Sequence, residues 1–207
     1  MVAKKEFQLA RDAIISARKA SDFLAGWLKH SAILPDRERA TFEHYYGNFD
    51  TLTSERMRWA YDQQLQQATG LVRGKPGLKL LEVGSGCGTE SLWFAFNGAD
   101  VTSIDIKTDR LATARARNKL MEGFTGGKLR CNFEKRNLLE MEGSGRFDLI
   151  WVQQTFHHLE PRAQCVQAIS RLLAPGGSVV ISEVNAWNPL IQLLLLRRRG
   201  FQTICHF

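Results

Sequence analysis

The stretch that decides the fold is LKLLEVGSGCG, residues 78–88. Its first six residues are mostly apolar and predict a buried β-strand. The alternating glycines Gly84, Gly86 and Gly88 predict a tight turn that a ligand can approach without meeting a side chain. The helical pattern from Thr89 directs unpaired backbone N–H groups at this turn. In open α/β sheets, ligands bind at this carboxyl edge of the strands.

Downstream of the loop, short apolar strands alternate with helical segments. Strands are predicted at residues 101–106, 128–136, 147–152 and 178–184, with helices at 89–97, 109–121 and 161–173. This alternation predicts an α/β fold in which a doubly wound, mostly parallel sheet lies between two helical layers.

Upstream of the loop, the periodicity is helical. Residues 4–29, residues 36–46 and a segment from Thr53 or Ser54 to about residue 69 predict helices, and glycines and a proline in residues 70–77 predict a linker. We therefore expect two regions, an N-terminal helical cap over residues 1–77 and a ligand-binding domain over residues 78–207.

Composition limits the protein class. The charge of +7 and pI of about 9.5 permit an anionic partner such as nucleic acid, an acidic membrane surface or an acidic small molecule. The alternative is a generally basic soluble protein. Four scattered cysteines predict neither a disulfide framework nor a metal site and suit a reducing cytoplasm. We expect a cytoplasmic protein without a secretory signal or transmembrane segment, because no apolar run approaches the ~20 residues that a spanning helix needs.

The glycine spacing argues against a dinucleotide. A dinucleotide loop has the pattern Gly-x-Gly-x-x-Gly, but here the third glycine comes one place early, and Thr89 stands where Gly or Ala is needed. The Gly-Lys-Ser/Thr of a phosphate-binding loop is also absent. A dehydrogenase is therefore a distant alternative.

The pattern Glu-x-Gly-x-Gly-x-Gly over residues 82–88 resembles motif I of the class I S-adenosylmethionine (SAM)-dependent methyltransferases. Residues 146–150 resemble the fourth strand of that family, residues 153–159 the segment after it, and residues 172–181 the approach to the fifth strand. The resemblance covers roughly residues 78–189 and implies SAM as the cofactor.

Carried over position by position, the resemblance implies a complete cofactor site. The loop would surround the methionine half of SAM, Asp105 would accept the ribose hydroxyls, and Ile106 and Leu138 would flank the adenine. Asp105 has the alternative role of capping the start of a helix, and Asn137, beside the adenine, that of a simple turn residue. The implied cofactor-binding residues are Glu82, Gly84, Ser85, Gly86, Gly88, Asp105, Ile106, Asn137, Leu138 and Gln153.

Three side chains are candidates for proton removal from an acceptor hydroxyl. His157 and His158 follow the fourth strand, and Glu183 ends the fifth. The alternative for the histidines is local packing. From the cap, Tyr45 and Tyr46 are candidates to close over the ligands, with core packing as their alternative.

The C-terminus departs from the family pattern. Class I methyltransferases usually have seven strands, whereas residues 188–199 predict a helix and residues 201–207 a sixth strand, with none left for a seventh. An incomplete sheet edge favours association, so a homodimer is one expectation.

We therefore predict a SAM-dependent methyltransferase that modifies oxygen or carbon of a small organic molecule. One alternative is an RNA or protein methyltransferase, which the charge favours, although the Asn-Pro-Pro-Tyr-like segment of nucleobase amino-methylation is absent after the fourth strand. The other is a non-catalytic SAM-binding or scaffold protein, which the short C-terminus favours.

Overall fold

The computed structural model describes residues 2–46 and 54–183. Its strands are β1 (Lys79–Val83), β2 (Asp100–Asp105), β3 (Cys131–Lys135), β4 (Phe147–Gln153) and β5 (Leu173–Ser182). Its helices are α1 (Val2–Ile15), α2 (Ala20–Lys29), α3 (Asp36–Tyr46), α4 (Glu55–Gly74), α5 (Thr89–Phe96), α6 (Thr108–Thr125) and α7 (Arg162–Leu172).

The five strands form one parallel sheet in the order β3-β2-β1-β4-β5. The chain winds outward from β1 to β3 and then returns to the other side of β1 with β4, so the topology reverses between β1 and β4. This arrangement confirms the predicted doubly wound α/β fold, and the reversal lies directly beside the glycine loop.

Both faces of the sheet are buried at its centre. In β4, Leu149 and Trp151 belong to one hydrophobic core and Ile150 and Val152 to the other. The first core is covered by α1 to α6 and the second by α7. Burial on two faces explains why the central strands β1 and β4 are mostly apolar rather than alternating, whereas β3 and β5 are partly exposed.

The N-terminal helices share the first core with the sheet. Trp27 of α2, Phe42 of α3 and Leu65 of α4 are buried in the same cluster as Leu80 of β1. The division of the chain at residue 77 stays a prediction, because this shared core neither requires nor excludes it.

Several predicted boundaries were wrong. Residues 4–29 form two helices, separated by residues 16–19, rather than one helical run. Helix α4 continues through the predicted linker to Gly74, because its last turns bury Ala68 and Val72, and this packing outweighs the low helix propensity of glycine. The predicted turn at residues 175–177 is an irregularity within β5, where the register with β4 shifts.

The predicted helix at 188–199 and strand at 201–207 lie outside the described residues, as does the edge on which the homodimer expectation depends. Within residues 2–46 and 54–183, no helix combines the length and hydropathy that crossing a bilayer requires.

Candidate active site

The loop after β1 is held tightly against the neighbouring strands. The N–H groups of Gly84 and Ser85 both donate to the Ile104 carbonyl, at 2.8 and 3.1 Å. Gly86 has a φ of +53°, and a Cβ atom at this position would lie 2.5 Å from the Tyr45 hydroxyl. A side chain at Gly84 would collide with Thr155. These glycines are therefore required by the close approach of two other segments as well as by backbone conformation.

Asp105 connects the end of β2 to this loop. The side chain is 7% exposed, and its Oδ2 accepts a hydrogen bond from Gly86 N at 2.8 Å while Oδ1 accepts one from Lys107 N, also at 2.8 Å. The second bond lies in the turn before α6, whose N-cap residue is Lys107 and which has no side-chain cap, so Asp105 does not itself cap the helix. Each carboxylate oxygen has a further lone pair, so these bonds do not prevent Asp105 from accepting ribose hydroxyls.

A cleft of about 580 Å³ opens above these residues, within the size range of cofactor sites. Its floor is partly apolar, and Ile106 is 62% exposed there although it is a large aliphatic residue. The residues that line the cleft are Tyr45, Val83, Gly84, Ile104, Asp105, Ile106, Lys107, Arg110, Arg136, Asn137, Leu138, Gln154, Thr155, His158, Leu159, Glu160 and Cys165.

Two predicted cofactor residues carry buried polar atoms that have no hydrogen-bond partner in the described part of the chain. These atoms are Ser85 Oγ and Gln153 Oε1. Buried polar atoms without partners are uncommon in folded proteins. Neither Ser85 nor Gln153 is among the residues that line the cleft, so these atoms lie behind its wall. The exposed apolar Ile106, Gly84 and the polar side chains of the cleft fit a ligand that has both polar edges and an apolar ring, as SAM does.

Other predicted residues lie elsewhere. Glu82 is 3% exposed, its carboxylate accepts a hydrogen bond from Ser91 Oγ, and its side chain does not line the cleft. Burial, reinforced by the nearby Glu90, raises the pKa of Glu82 well above its usual value. Asn137 lines the cleft, and its Oδ1 also accepts a hydrogen bond from Leu139 N at 3.0 Å, which is a capping role.

The two candidate tyrosines lie in different environments, one in the cleft and the other in the core. Tyr45 lines the cleft, with its hydroxyl above Gly86, whereas Tyr46 is 4% exposed, packs against Phe42 and is not among the residues that line the cleft. Consecutive helical residues point about 100° apart. The alternative of core packing therefore describes Tyr46, and the prediction that it contacts substrate does not fit its position.

The three candidate proton acceptors come together. His157 Nδ1 lies 2.9 Å from Glu183 Oε2, and Glu183 Oε1 accepts a hydrogen bond from Phe156 N at 2.6 Å. The rings of His157 and His158 have centroids 3.8 Å apart, and His158 lines the cleft. Burial, together with the nearby charges of His157 and Arg110, lowers the pKa of His158. The lowered pKa favours the neutral form of His158, which can accept a proton.

Ten of the residues that line the cleft were not predicted as site residues, and four of them illustrate why. Gln154 lines the cleft with a φ of +49°, a conformation that is strained for a residue other than glycine and that no sequence pattern indicates. Lys107, Arg110 and Arg136 also line it. The position of Arg110 could have been predicted from the sequence, because a residue in the first turn after β2 necessarily lies at the carboxyl edge of the sheet.

Arg117 of α6 lies behind the loop and is fully buried. Its Nη1 donates to Cys87 O at 2.7 Å and to Thr89 Oγ1 at 2.8 Å. The guanidinium carbon lies 4.6 Å from the ring centroids of both Trp27 and Phe42. Arg117 thus connects the N-terminal helices to the loop through cation–π contacts and hydrogen bonds.

Comparisons with known proteins agree with this geometry. A family model described as "Methyltransferase domain" matches residues 74–203. The ubiquinone biosynthesis O-methyltransferase of Psychrobacter cryohalolentis is 35% identical over 112 residues, which cover 54% of this chain and 43% of that protein. Among the curated relatives, the Azotobacter vinelandii protein of the same name is matched over 50% of its length. The chain thus spans about half the length of the curated relatives it matches, or less.

Two solved structures illustrate the range of the fold. The PH0226 protein of Pyrococcus horikoshii superposes with a TM-score of 0.57 at 23% identity, over 73% of this chain and 71% of that one. The [4+2]-cyclase SpnF superposes with a TM-score of 0.50 at 25% identity, over 59% of this chain and 46% of that one. The first likeness concerns the fold alone. Because SpnF is named for a cyclisation, the second indicates that this architecture is not restricted to one reaction.

Proposed function

Because the chain belongs to the methyltransferase-domain family, we propose that it transfers a methyl group from SAM to an oxygen atom of a small organic acceptor. The observation that carries this proposal is the cleft, which is lined by Gly84 of the glycine loop, by Asp105 and by His158, a histidine whose pKa is lowered by burial. The names of the O-methyltransferase relatives support oxygen over carbon.

The residues of the cleft fit SAM. The loop at residues 84–88 would hold the methionine half, Asp105 the ribose, and Ile106 and Leu138 the adenine. When bound, SAM supplies a methyl group on a positively charged sulfur atom. The protein contributes alignment, because methyl transfer proceeds in line and depends on the acceptor oxygen being held close behind the methyl carbon.

The histidine pair supplies the proton chemistry. An unprotonated ring nitrogen of His158 accepts the proton of the acceptor hydroxyl as the oxygen becomes nucleophilic. The second ring, His157, is held at 2.9 Å by the Glu183 carboxylate, which offsets the positive charge that develops on the pair. Glu183 is itself oriented by the Phe156 N–H, so the three residues form a connected arrangement.

The proposal is tested by calorimetry with SAM, followed by incubation with methyl-labelled SAM and a panel of phenols and catechols. We expect binding, and label in an ether-soluble product. Folded protein that fails to bind SAM would refute the proposal. Label in added RNA or protein instead would support the alternative that the charge of +7 favours.

A second candidate is a SAM-binding protein that does not transfer the methyl group. The similarity to the [4+2]-cyclase SpnF favours it, because that protein is named for a different reaction. Binding of SAM without labelled product from any acceptor class would support this candidate. We also propose a cytoplasmic location and a homodimer. Size-exclusion chromatography with light scattering tests whether the protein is a dimer.

A further inference from the structure

We propose that Arg110 binds a carboxylate group in the cleft and that the methyl acceptor carries this group. The inference rests on the proposed function and narrows the acceptor to acidic molecules. It depends on the position of Arg110, on the pairing of the acidic residues around it and on the fact that Arg110 and His158 line the same cleft.

Arg110 is a cation without an anionic partner. It lies in the first turn of α6, is half-buried, and its guanidinium carbon stands 4.8 Å from the ring centroid of Tyr45. Within residues 2–46 and 54–183 its side chain makes no hydrogen bond or ion pair. Because a guanidinium has five N–H donors in a fixed plane, its preferred partner is a carboxylate that accepts two of them.

Neither acidic residue that lines the cleft forms an ion pair with Arg110. Asp105 accepts backbone hydrogen bonds from Gly86 and Lys107. Glu160 accepts from Arg162 Nη2 and from Arg162 N, both at 2.9 Å. Among the described residues, no carboxylate is paired with Arg110, so its guanidinium is available to one that a ligand supplies.

The charge of the cleft favours an anion. Three cations, Lys107, Arg110 and Arg136, line it against two carboxylates, Asp105 and Glu160. Arg136 is partly neutralised by Glu134, at 3.3 Å, but Lys107 has no ion pair among the described residues. Bound SAM adds a net positive charge. A negatively charged acceptor balances this excess, whereas a cationic one is repelled.

Arg110 and His158 both line the cleft. The charge of Arg110 is also one of the influences, after burial and His157, that lower the pKa of His158. An acceptor that presents its hydroxyl to His158 can therefore place a carboxylate at Arg110. Such a two-point contact would also fix the orientation of the hydroxyl toward the cofactor.

The test compares two catechols that differ only in a carboxylate. Binding of 3,4-dihydroxybenzoate and of catechol is measured by calorimetry on protein saturated with S-adenosylhomocysteine. The proteins are the wild type, Arg110→Gln, and Lys119→Gln as a control that removes one exposed charge from the same helix. We expect 3,4-dihydroxybenzoate to bind at least about tenfold more tightly than catechol, the preference to vanish in Arg110→Gln, and the control to retain it.

A second arm asks whether the carboxylate belongs to the cofactor. The affinities of SAM and decarboxylated SAM are measured for the same three proteins. A loss of SAM affinity in Arg110→Gln that is absent with decarboxylated SAM would confirm carboxylate binding but overturn the assignment to the acceptor. The inference is wrong if Arg110→Gln changes neither the comparison of the two catechols nor that of SAM with decarboxylated SAM. It is also wrong if the wild type shows no preference for the carboxylated catechol and no Arg110-dependent binding of SAM.

Failure of the proposed function would look different. A wild-type protein that binds no SAM refutes the proposed function, whereas the two catechols on ligand-free protein still decide whether Arg110 recognises a carboxylate. Circular dichroism of each variant confirms that it is folded.

Discussion

Replacing Gly86 by alanine tests the position of Tyr45 above the loop. With φ at +53°, alanine at this position costs about 1 to 2 kcal/mol from backbone strain alone. The added Cβ would also lie 2.5 Å from the Tyr45 hydroxyl and 2.8 Å from its ring carbon Cζ. Carbon contacts are normally about 3.5 Å, so the ring must move by roughly 1 Å. Overpacking of this kind costs about 1 to 3 kcal/mol more.

Gly126→Ala is the matched control. Gly126 has a φ of +70°, close to that of Gly86, but an added Cβ there meets no atom within 4 Å. The control should therefore show the backbone cost only, about 1 to 2 kcal/mol. Urea unfolding gives the free energy of unfolding of both variants, and calorimetry gives their affinity for SAM. We expect Gly86→Ala to be the less stable of the two and to bind SAM at least about tenfold more weakly.

Tyr45→Ala in the Gly86→Ala background completes a double-mutant cycle. Because the truncated side chain leaves room for the new Cβ, Tyr45→Ala should lower the free energy of unfolding by about 1 to 3 kcal/mol less in the Gly86→Ala background than in the wild type. Equal destabilisation by Gly86→Ala and Gly126→Ala, with additive effects in the cycle, would show that Tyr45 does not lie over the loop.

Other predictions concern the chemistry and the ionisable groups. His158→Gln should reduce methyl transfer about 10²- to 10⁴-fold with SAM affinity retained; full activity in this variant would exclude a base role. Because the pKa of His158 is lowered, the acidic limb of the rate profile with a phenol should fall below pH 6.5, the ordinary value for histidine, and a limb above that pH would contradict the assignment. Asp105→Asn should weaken SAM binding about 10- to 100-fold, whereas Asp109→Asn, an exposed carboxylate nearby, should not. Glu82 has a raised pKa when folded, so its stabilising contribution is present at low pH and is lost as the pH rises. Glu82→Gln should therefore gain stability relative to the wild type between pH 5 and about pH 8 in urea unfolding, and a constant difference over that range would refute this.

The sequence predicted the features that depend on local pattern. The glycine spacing and the two-face burial of the strands are both visible in the order of residues, so the loop and the sheet architecture were predictable. The positions of Asp105 and His158 in the cleft were predictable for a related reason, because Asp105 ends β2, His158 lies in the loop after β4, and the carboxyl ends of parallel strands meet at one edge.

Features that depend on three-dimensional packing were not predictable. Glu82 has the motif position of a cofactor residue, but the alternation of side chains along β1 turns it toward Ser91 and the core. Helix α4 passes through Gly70 because neighbouring residues are buried. The burial of Arg117 was not predictable from the sequence, because an arginine in an amphipathic helix normally faces water.

The burial of Arg117 has a consequence for modularity. Exchanging the N-terminal helices between relatives, in order to change the methyl acceptor, treats these helices as an independent unit. Here Trp27 and Phe42 flank the guanidinium that binds the loop at Cys87. A transplanted segment that lacked these two rings would leave a buried charge without its aromatic contacts, directly behind the loop. Chimeras should therefore transfer both rings together with the arginine, so that the interchangeable unit is the helices plus this part of α6.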